Sequence, residues 1–309
     1  MFDLLIVGGG PAGLAAAING ASEGLKVCLL DNQVGFGGQA RESSAIENYP
    51  GFPEAITGET LMANLVRQAL KFDAFMQCPV NGVRLEKVDG NVCVTDEYGE
   101  TYPSRAAILS LGLTYRRLAA KGIGPLMGRG VHYGVPAGRA PTTKCIAAIV
   151  GGANSAGQAA LHLARSPHVE VRLLIRKTIE IGMSSYLIDR IRATSNILIC
   201  EDCEVEAVEG VRHLEAIHTV RGGQRETMPV SHLYIYIGAV PRTYWVAGSL
   251  ALDDRGYILT GLNEALPFET SMRNVFAAGD VRSGSVKRIA TASAEGIAAL
   301  QMAHSRLGA

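Results

Sequence analysis

A glycine-rich turn between an apolar run and an alanine-rich run is the feature that most constrains how this chain folds. The apolar residues 3–7 predict a buried strand, and Gly8, Gly10 and Gly13 follow as the glycines of a G-x-G-x-x-G motif that opens a helix. The first glycine permits a tight turn, the second lets the backbone approach a pyrophosphate, and the third lets helix and strand pack closely. Asp31 closes the next strand and can accept hydrogen bonds from a ribose. The pattern predicts a dinucleotide-binding β-α-β unit.

A second unit of the same kind starts with the apolar run at residues 146–150. Its loop departs from the motif at the middle glycine, where the methyl group of Ala153 limits how closely the backbone approaches a pyrophosphate. Its second strand ends in Arg176 and Lys177 instead of an acid, which favours the 2′-phosphate of NADPH over the free ribose of NADH. The alternative is that both are solvated charges after a strand. The expected NADPH-binding residues are Gly151, Gly152, Asn154, Ser155, Ala156, Arg176 and Lys177.

The remaining patterns predict how the two units are joined. Stretches with hairpin alternation follow each unit, and a strand pattern at residues 275–278 and a helix pattern at residues 290–307 close the chain. We expect this tail to complete the first domain, because it resembles neither a third nucleotide fold nor a separate domain. The predicted fold class is α/β, with two Rossmann-like, three-layer ββα dinucleotide-binding domains. The first domain comprises residues 1–115 and 242–309, and the second, residues 116–241, is inserted in it.

Charge and cysteine content narrow the function further. The formal net charge is +0 and the sequence pI is near 7.0, so there is no electrostatic footprint for nucleic acid or an anionic membrane. No run approaches the roughly 18 apolar residues of a membrane helix, and the opening run is too short for a signal peptide, so we expect a cytoplasmic protein. The six cysteines are expected to be reduced. Cys200 and Cys203 have the spacing of a redox or metal-binding pair, but neighbouring carboxylates disfavour thiolates, and we predict no bound metal.

Four motifs resemble, in sequence order, those of the low-molecular-weight thioredoxin reductase family of class II pyridine nucleotide-disulfide oxidoreductases: Gly8 to Gly13, residues 37–39, residues 47–52 and residues 276–281. The resemblance covers nearly the whole chain and implies FAD in the first domain, NADPH in the second, and a homodimer. In that family the Gly-Gly-Gln and Glu-Asn segments line the isoalloxazine and Gly-Asp binds the ribityl chain, although turn capping is the alternative for the Asn and the Asp. The implied FAD-binding residues are Gly8, Gly10, Gly13, Asp31, Gly38, Gln39, Asn48, Gly279, Asp280, Lys287 and Arg288.

The resemblance fails at the family's redox centre, a Cys-Ala-Thr-Cys-Asp motif. The matching stretch, residues 133–138, carries Gly134 and Ala137 in place of the cysteines. Disulfide exchange requires a thiolate and a resolving thiol, and this stretch has neither. His132 and Tyr133 lie beside the position as candidate catalytic residues, with His132 as a proton donor, and plain packing is the alternative for both.

These residues favour a FAD-dependent NAD(P)H oxidoreductase that passes electrons from NADPH through FAD to an external acceptor. The acceptor is a small molecule or a protein: a small disulfide, a quinone, a ferredoxin-like protein or oxygen. Two alternatives stay open. Three departures from the family would suit a FAD-dependent oxidase or dithiol oxidase with weak or lost NADPH binding. They are Ala153, Gln158 at a position where the family carries Glu, and a basic cluster that keeps only Arg176 of the family's His-Arg-Arg signature, with Lys177 as a partial replacement. The other alternative is a non-catalytic flavin-binding sensor.

Overall fold

The computed structural model describes residues 1–43, 46–134, 141–262 and 266–308. The chain divides into two compact units. The first consists of Met1–Thr114 and the chain from Val240 onward, and the second consists of Tyr115–Ala239. The sequence-based boundaries lie one and two residues further along the chain.

Both predicted β-α-β units are present, whereas the helices Gly58–Lys71, Ile123–Leu126 and Ser185–Arg192 have no counterpart in the sequence-based prediction. The strands are β1 (Phe2–Val7), β2 (Val27–Leu30), β3 (Phe75–Gln77), β4 (Gly82–Val88), β5 (Asn91–Asp96), β6 (Thr101–Leu109), β7 (Leu113–Tyr115), β8 (Val131–Tyr133), β9 (Cys145–Val150), β10 (Val169–Leu174), β11 (Ile197–Cys200), β12 (Cys203–Glu209), β13 (Ala216–Arg221), β14 (Gln224–Pro229), β15 (His232–Ile235), β16 (Ala239–Pro241) and β17 (Val275–Ala277). The α-helices are α1 (Pro11–Ser22), α2 (Gly58–Lys71), α3 (Ile123–Leu126), α4 (Asn154–Leu163), α5 (Ser185–Arg192) and α6 (Ile289–Leu307), and 3-10 helices span Gly38–Glu42, Ile179–Ile181 and Gly279–Val281.

In the first unit the sheet runs in the order β3-β2-β1-β6-β5-β4, with β17 beside the end of β6. Strand β6 pairs antiparallel with β5 through its first residues and parallel with β1 and β17 through its last. Since β1 and β17 are both parallel to β6, the loops that follow them leave the sheet at the same edge. The glycine loop after β1 and the Gly279 turn after β17 are therefore brought together.

Both faces of this sheet are buried, because neighbouring residues of β1 point to opposite sides. Leu4 and Ile6 pack under α1 and α6, whereas Leu5 and Val7 contribute to the core on the opposite face. Helices α1 and α6 pack closely enough that a Cβ on Gly296 would lie 2.1 Å from the carbonyl oxygen of Ala12. Small residues on both helices thus fix the start of α1 against α6.

The second unit is built on a five-stranded parallel sheet in the order β11-β10-β9-β15-β8. Ala147 and Ile149 of β9 contribute to a core shared with α4 and α5. Ala148 and Val150, on the other face, contribute to a core shared with the antiparallel sheet β12-β13-β14. This arrangement is the expected three-layer ββα architecture.

The chain passes between the units through β7 and β16, which pair with each other. The side-chain amide of Gln39 donates to the carbonyl oxygen of Leu113 at 2.9 Å, which ties the first crossing to the first unit. Among the residues that the structure describes, no helix combines the length and the apolar character needed to cross a bilayer.

Candidate nucleotide-binding sites

The first glycine loop has no room for side chains at its outer glycines. Gly8 has a φ of +108°, and a Cβ there would lie 2.2 Å from the carbonyl oxygen of Ser110. A Cβ on Gly13 would lie 1.9 Å from the carbonyl oxygen of Gly8. These two glycines therefore perform the roles predicted for the first and third positions of the motif, the tight turn and the close helix packing.

Gly10 faces open space at the start of α1. It is the N-cap of the helix, no side chain caps the helix there, and a Cβ on Gly10 would have no heavy atom within 4 Å. Gly38 lies next to Gly10, since a Cβ built on Gly38 would be 3.4 Å from the Cα of Gly10. The free amide groups and positive dipole end of α1 thus lie beside an open space at Gly10, which fits a pyrophosphate.

Asp31 holds the glycine loop in place. The side chain is buried, with 6% exposed, and its two carboxylate oxygens accept hydrogen bonds from the backbone N–H groups of Gly9 and, at 2.8 Å, Gln33. A carboxylate has further lone pairs, so a ribose hydroxyl can still donate to it. The neighbouring segment is tied to the same loop, because the N–H of Gly37 donates to the carbonyl oxygen of Gly9 at 2.7 Å.

Asn48 lies apart from these contacts. It is exposed and belongs to the loop of residues 47–53, which lines a pocket of its own. The side-chain amide of Gln39 donates to the carbonyl oxygen of Leu113. The structure thus brings Gly38 to the first glycine loop, bonds Gln39 to Leu113, and leaves Asn48 on an exposed loop.

The Gly-Asp turn after β17 meets the start of α1. Gly279 has a φ of +76°, and a Cβ on it would lie 3.0 Å from the Cβ of Ala12. The side chain of Asp280 is partly buried, and no donor among the described residues bonds to its carboxylate. Burial raises the pKa of Asp280, an effect that the nearby Lys287 ammonium opposes. A partly buried acceptor without a protein donor fits a ligand that carries hydroxyl groups.

Lys287 and Arg288 follow this turn and are both exposed. The Nζ of Lys287 donates to the carbonyl oxygen of Asp280 at 2.8 Å and lies 4.6 Å from the centre of the Tyr257 ring. Arg288 is the N-cap of α6, and no side-chain hydrogen bond caps this helix. Lys287 thus stabilises the backbone of the turn, and α6 presents a second free helix end beside it.

Two residues of this region were absent from the sequence-based prediction. Glu295 of α6 is 7% exposed, and its Oε1 and Oε2 accept from the guanidinium of Arg282 at 2.7 and 3.1 Å. Oε2 also accepts from the N–H of Gly279 at 2.8 Å. The available signal was that Glu295 is the only charged residue in residues 289–303.

The second glycine loop keeps the tight turn of the first and carries Ala153 and Ala156 at the positions of Gly10 and Gly13. A Cβ on Gly151, whose φ is +153°, would lie 2.5 Å from the carbonyl oxygen of Tyr236, so the tight turn is kept. Ala153 is the N-cap of α4, and its side chain is exposed. Asn154 uses its side chain on Ser184, donating to Oγ at 2.9 Å and accepting from N–H at 2.8 Å. The side chain of Asn154 therefore ties the starts of α4 and α5 together.

The remaining predicted residues of this site surround the same helix end. Ser155 and Gln158 are exposed on α4, whereas Ala156 is buried against the sheet. Arg176 and Lys177 follow β10, are exposed, and form no ion pair among the described residues. Two unpaired cations at the end of this strand fit an anionic group such as a 2′-phosphate.

His132 and Tyr133 lie on β8 in the second unit and are engaged in packing. The ring of His132 stacks on Tyr234 at 5.7 Å, and burial lowers the pKa of His132. Tyr133 stacks on Tyr115 at 5.8 Å, and its hydroxyl accepts from the N–H of Leu118 at 2.9 Å. Gly134 ends the described part of this segment, and Ala137 lies outside the described residues.

Cys200 and Cys203 lie at the junction of β11 and β12 in the core of the second unit. Both thiols are free, and burial is the main factor that raises the pKa of each. A buried thiol with a raised pKa is a poor nucleophile. Among the described residues, no group of three or more His, Cys, Asp or Glu side chains is arranged to hold a metal ion.

Comparison with known proteins identifies the family. A family model described as pyridine nucleotide-disulphide oxidoreductase matches residues 2–296. The chain is 34% identical over 301 residues to a thioredoxin reductase of Mycolicibacterium smegmatis, covering 96% of this chain and 94% of the relative. It is 30% identical over 308 residues to a Clostridium pasteurianum protein described as a 34.2 kDa protein in the rubredoxin operon, covering 99% and 97%. A crystal structure of thioredoxin reductase from Streptococcus pyogenes superposes with a TM-score of 0.78 at 28% identity, covering 100% and 98%. The chain is an oxidoreductase that belongs to the pyridine nucleotide-disulphide oxidoreductase family.

Proposed function

We propose that this chain is a FAD-dependent oxidoreductase that takes electrons from NADPH and passes them to an external acceptor without a dithiol of its own. FAD and NADPH are the cofactors of the thioredoxin reductases to which it is similar. The observation that carries the proposal is that the open space at Gly10 and the unpartnered carboxylate of Asp280 lie at the same end of α1. Bound FAD supplies the two-electron redox chemistry, and the protein supplies placement and electrostatics.

In this proposal the first unit holds FAD. The glycine loop and the start of α1 bind the pyrophosphate, Asp31 accepts from the adenosine ribose, and Asp280 accepts from the ribityl hydroxyls. The exposed cations beside Asp280 stabilise negative charge near the flavin ring or on an acidic acceptor. The residues assigned to FAD are Gly8, Gly10, Gly13, Asp31, Gly38, Gln39, Asn48, Gly279, Asp280, Lys287 and Arg288.

The second unit binds NADPH in the same proposal. The free end of α4 takes the pyrophosphate, and Arg176 and Lys177 take the 2′-phosphate. Asn154 contributes its backbone, because its side chain is already bonded to Ser184. The methyl group of Ala153 weakens this binding relative to an all-glycine loop. The residues assigned to NADPH are Gly151, Gly152, Asn154, Ser155, Ala156, Arg176 and Lys177.

Positions 134 and 137 carry Gly and Ala where the family has its two redox cysteines. Because the chain has no dithiol at this place to pass electrons on, an external molecule accepts them from the flavin in this proposal. Thioredoxin is one acceptor to test, since relatives bear the name thioredoxin reductase. A small iron-sulfur protein is another, since the relative from Clostridium pasteurianum is described by its rubredoxin operon. We keep His132 and Tyr133 as candidate catalytic residues, with His132 donating a hydrogen bond when neutral and a proton only when its ring is protonated.

Anaerobic mixing of the purified yellow protein with NADPH tests this function. The proposal predicts rapid loss of flavin absorbance, with slower loss for NADH, followed by reoxidation when the right acceptor is added. Flavin that NADPH leaves oxidised but a dithiol reduces would instead support the dithiol oxidase, which the methyl group of Ala153 favours. Flavin that neither reagent reduces would support the sensor.

We also propose that the protein works as a cytoplasmic homodimer. All six cysteines are free in the structure, which suits a reducing compartment. The dimer rests on the resemblance to thioredoxin reductases. Sedimentation of the holoenzyme tests it, with a mass near twice that of the 32.7 kDa chain as the expected result.

A further inference from the structure

The carboxylate of Glu295 joins three parts of the flavin region. Its two oxygens accept from the Nε and Nη2 groups of Arg282, and one of them also accepts from the N–H of Gly279. Glu295 belongs to α6, Arg282 follows the turn, and Gly279 opens the turn. The contacts fix the backbone on either side of Asp280 to the helix.

Arg282 is held on its other side as well. Its guanidinium lies 5.1 Å from the centre of the Phe268 ring. The carbonyl oxygen of Phe268 accepts from the N–H of Ala277, the last residue of β17, at 2.9 Å. The ion pair is therefore connected to the strand that delivers Asp280 as well as to α6.

A buried ion pair is a costly way to stabilise a fold, because apolar residues of similar size often stabilise it equally well. What the charged pair adds here is geometry, since a bidentate guanidinium-carboxylate contact fixes both distance and orientation. Asp280 is one of the two residues between the anchored positions Gly279 and Arg282, and its own carboxylate has no donor among the described residues.

We propose that Glu295 and Arg282 are positioning residues for the flavin site: their ion pair holds the Gly279–Val281 turn so that the carboxylate of Asp280 meets the ribityl hydroxyls of FAD. This inference rests on the proposed FAD site of the first unit. Neither residue acts on FAD directly, and each acts through Asp280.

A matched control exists on the same helix. Arg306, near the end of α6, pairs with Glu269 at 2.8 Å, and Glu269 is 2% exposed. Glu269 also accepts from the N–H of Asn274 at 2.9 Å. This second pair has a more buried carboxylate and a more exposed guanidinium than the first, and it tethers α6 at its other end. None of the hydrogen bonds of the Glu269 carboxylate reaches the Gly279–Val281 turn.

The test is the affinity of the apoprotein for FAD, measured by quenching of FAD fluorescence, in E295Q, E269Q, D280A and the double variant D280A/E295Q. We expect E295Q to raise the Kd about tenfold and E269Q to change it less than about twofold, although both lose charged hydrogen bonds. In the D280A background, E295Q should add less than about twofold, because the interaction through which it acts is already lost.

Equal Kd values for E295Q and E269Q, or the same effect of E295Q with and without Asp280, would overturn the proposal. If E295Q fails to fold, R282K replaces it, since lysine keeps the charge and loses the two-pronged contact. Wild-type protein that binds no FAD overturns the proposed function itself. Wild-type protein that binds FAD, with E295Q binding equally well, overturns only the positioning role.

Discussion

Gly10 and Ala153 hold the same position in the two glycine loops, as the N-cap residues of α1 and α4. Both have an extended backbone, with φ −76° and ψ −171° at Gly10 and φ −107° and ψ 173° at Ala153. Any residue adopts such angles without strain, so the functional contrast between the two positions is one methyl group. That group stands where a pyrophosphate would approach the second helix.

Replacing Ala153 with Gly should strengthen NADPH binding. Removing the methyl group lets the backbone come closer to the pyrophosphate, and we expect the KM for NADPH to fall about tenfold. The melting temperature should change little, because Gly is an accepted N-cap residue. Steady-state kinetics with a saturating acceptor measure the effect, and an unchanged KM would mean that the nucleotide does not approach this helix end.

Two substitutions in the first glycine loop test the effect of adding a methyl group. G13A should destabilise the protein by about 1–3 kcal/mol or more, because the new Cβ meets the carbonyl oxygen of Gly8 at 1.9 Å. G10A should fold normally, because its Cβ has no neighbour within 4 Å, and yet bind FAD less tightly. Thermal unfolding of the apoprotein and FAD titration separate the two effects. Normal FAD binding by G10A would contradict the assignment of the open space to pyrophosphate.

The glycine loops and the family could be predicted from the sequence because their determinants are local. A strand, three glycines and a helix within a dozen residues leave few other folds, and the comparisons confirm the thioredoxin reductase-like family. Helix α2 was also open to prediction: Thr57 caps it by accepting from the N–H of Thr60, and Leu61, Met62 and Ala69 are its buried residues. The sequence-based prediction has no helix at this position.

Other parts depend on contacts that a linear pattern does not encode. Glu295 and Arg282 are 13 residues apart and meet only because β17, the turn and α6 fold back on one another. The stacking of His132 on Tyr234 requires β8 and β15 to pair, and they are about one hundred residues apart in sequence. The packing of His132 therefore does not follow from the residues around it in the sequence.

Replacing both Arg176 and Lys177 with Ala should weaken the preference for NADPH. The two exposed cations have no ion-pair partner among the described residues, so their removal should leave stability within about 0.5 kcal/mol. We expect the KM for NADPH to rise about tenfold or more while that for NADH changes little. Equal effects on both nucleotides would argue against a 2′-phosphate contact.

Stability should fall in mild acid because of two stacked histidines. His132 and His232 lie 6.4 Å apart, both partly buried, and burial is the main factor that lowers the pKa of each. The folded state thus disfavours the protonated rings. The stability that the two neutral histidines contribute is fully present above the unfolded pKa of about 6.5, and it is lost as the pH falls below that value towards their lowered folded pKa. His132 and His213 are the titratable neighbours of His232, and positive charge on either ring would lower the pKa of His232 further.

Melting temperatures at pH 7.5 and pH 5.5 measure this loss, and the double variant H132Q/H232Q should show a smaller difference between the two. Glutamine does not titrate, so it removes the proton-linked part and leaves that of other groups. An identical pH dependence in wild type and variant would show that the two rings contribute nothing to it.

The pairing of β7 with β16 has an evolutionary consequence. Neighbouring strands lie only about 5 Å apart, so the polypeptide enters and leaves the inserted unit at practically one point. Because its two connections lie side by side, the inserted unit can be exchanged for a homologous unit without changing the strand order of the first unit's sheet. It can also be removed, and the two chain ends of the first unit rejoined by a few residues. If the first unit holds FAD and the second binds NADPH, as proposed, such an exchange would change the electron donor and leave the FAD site intact.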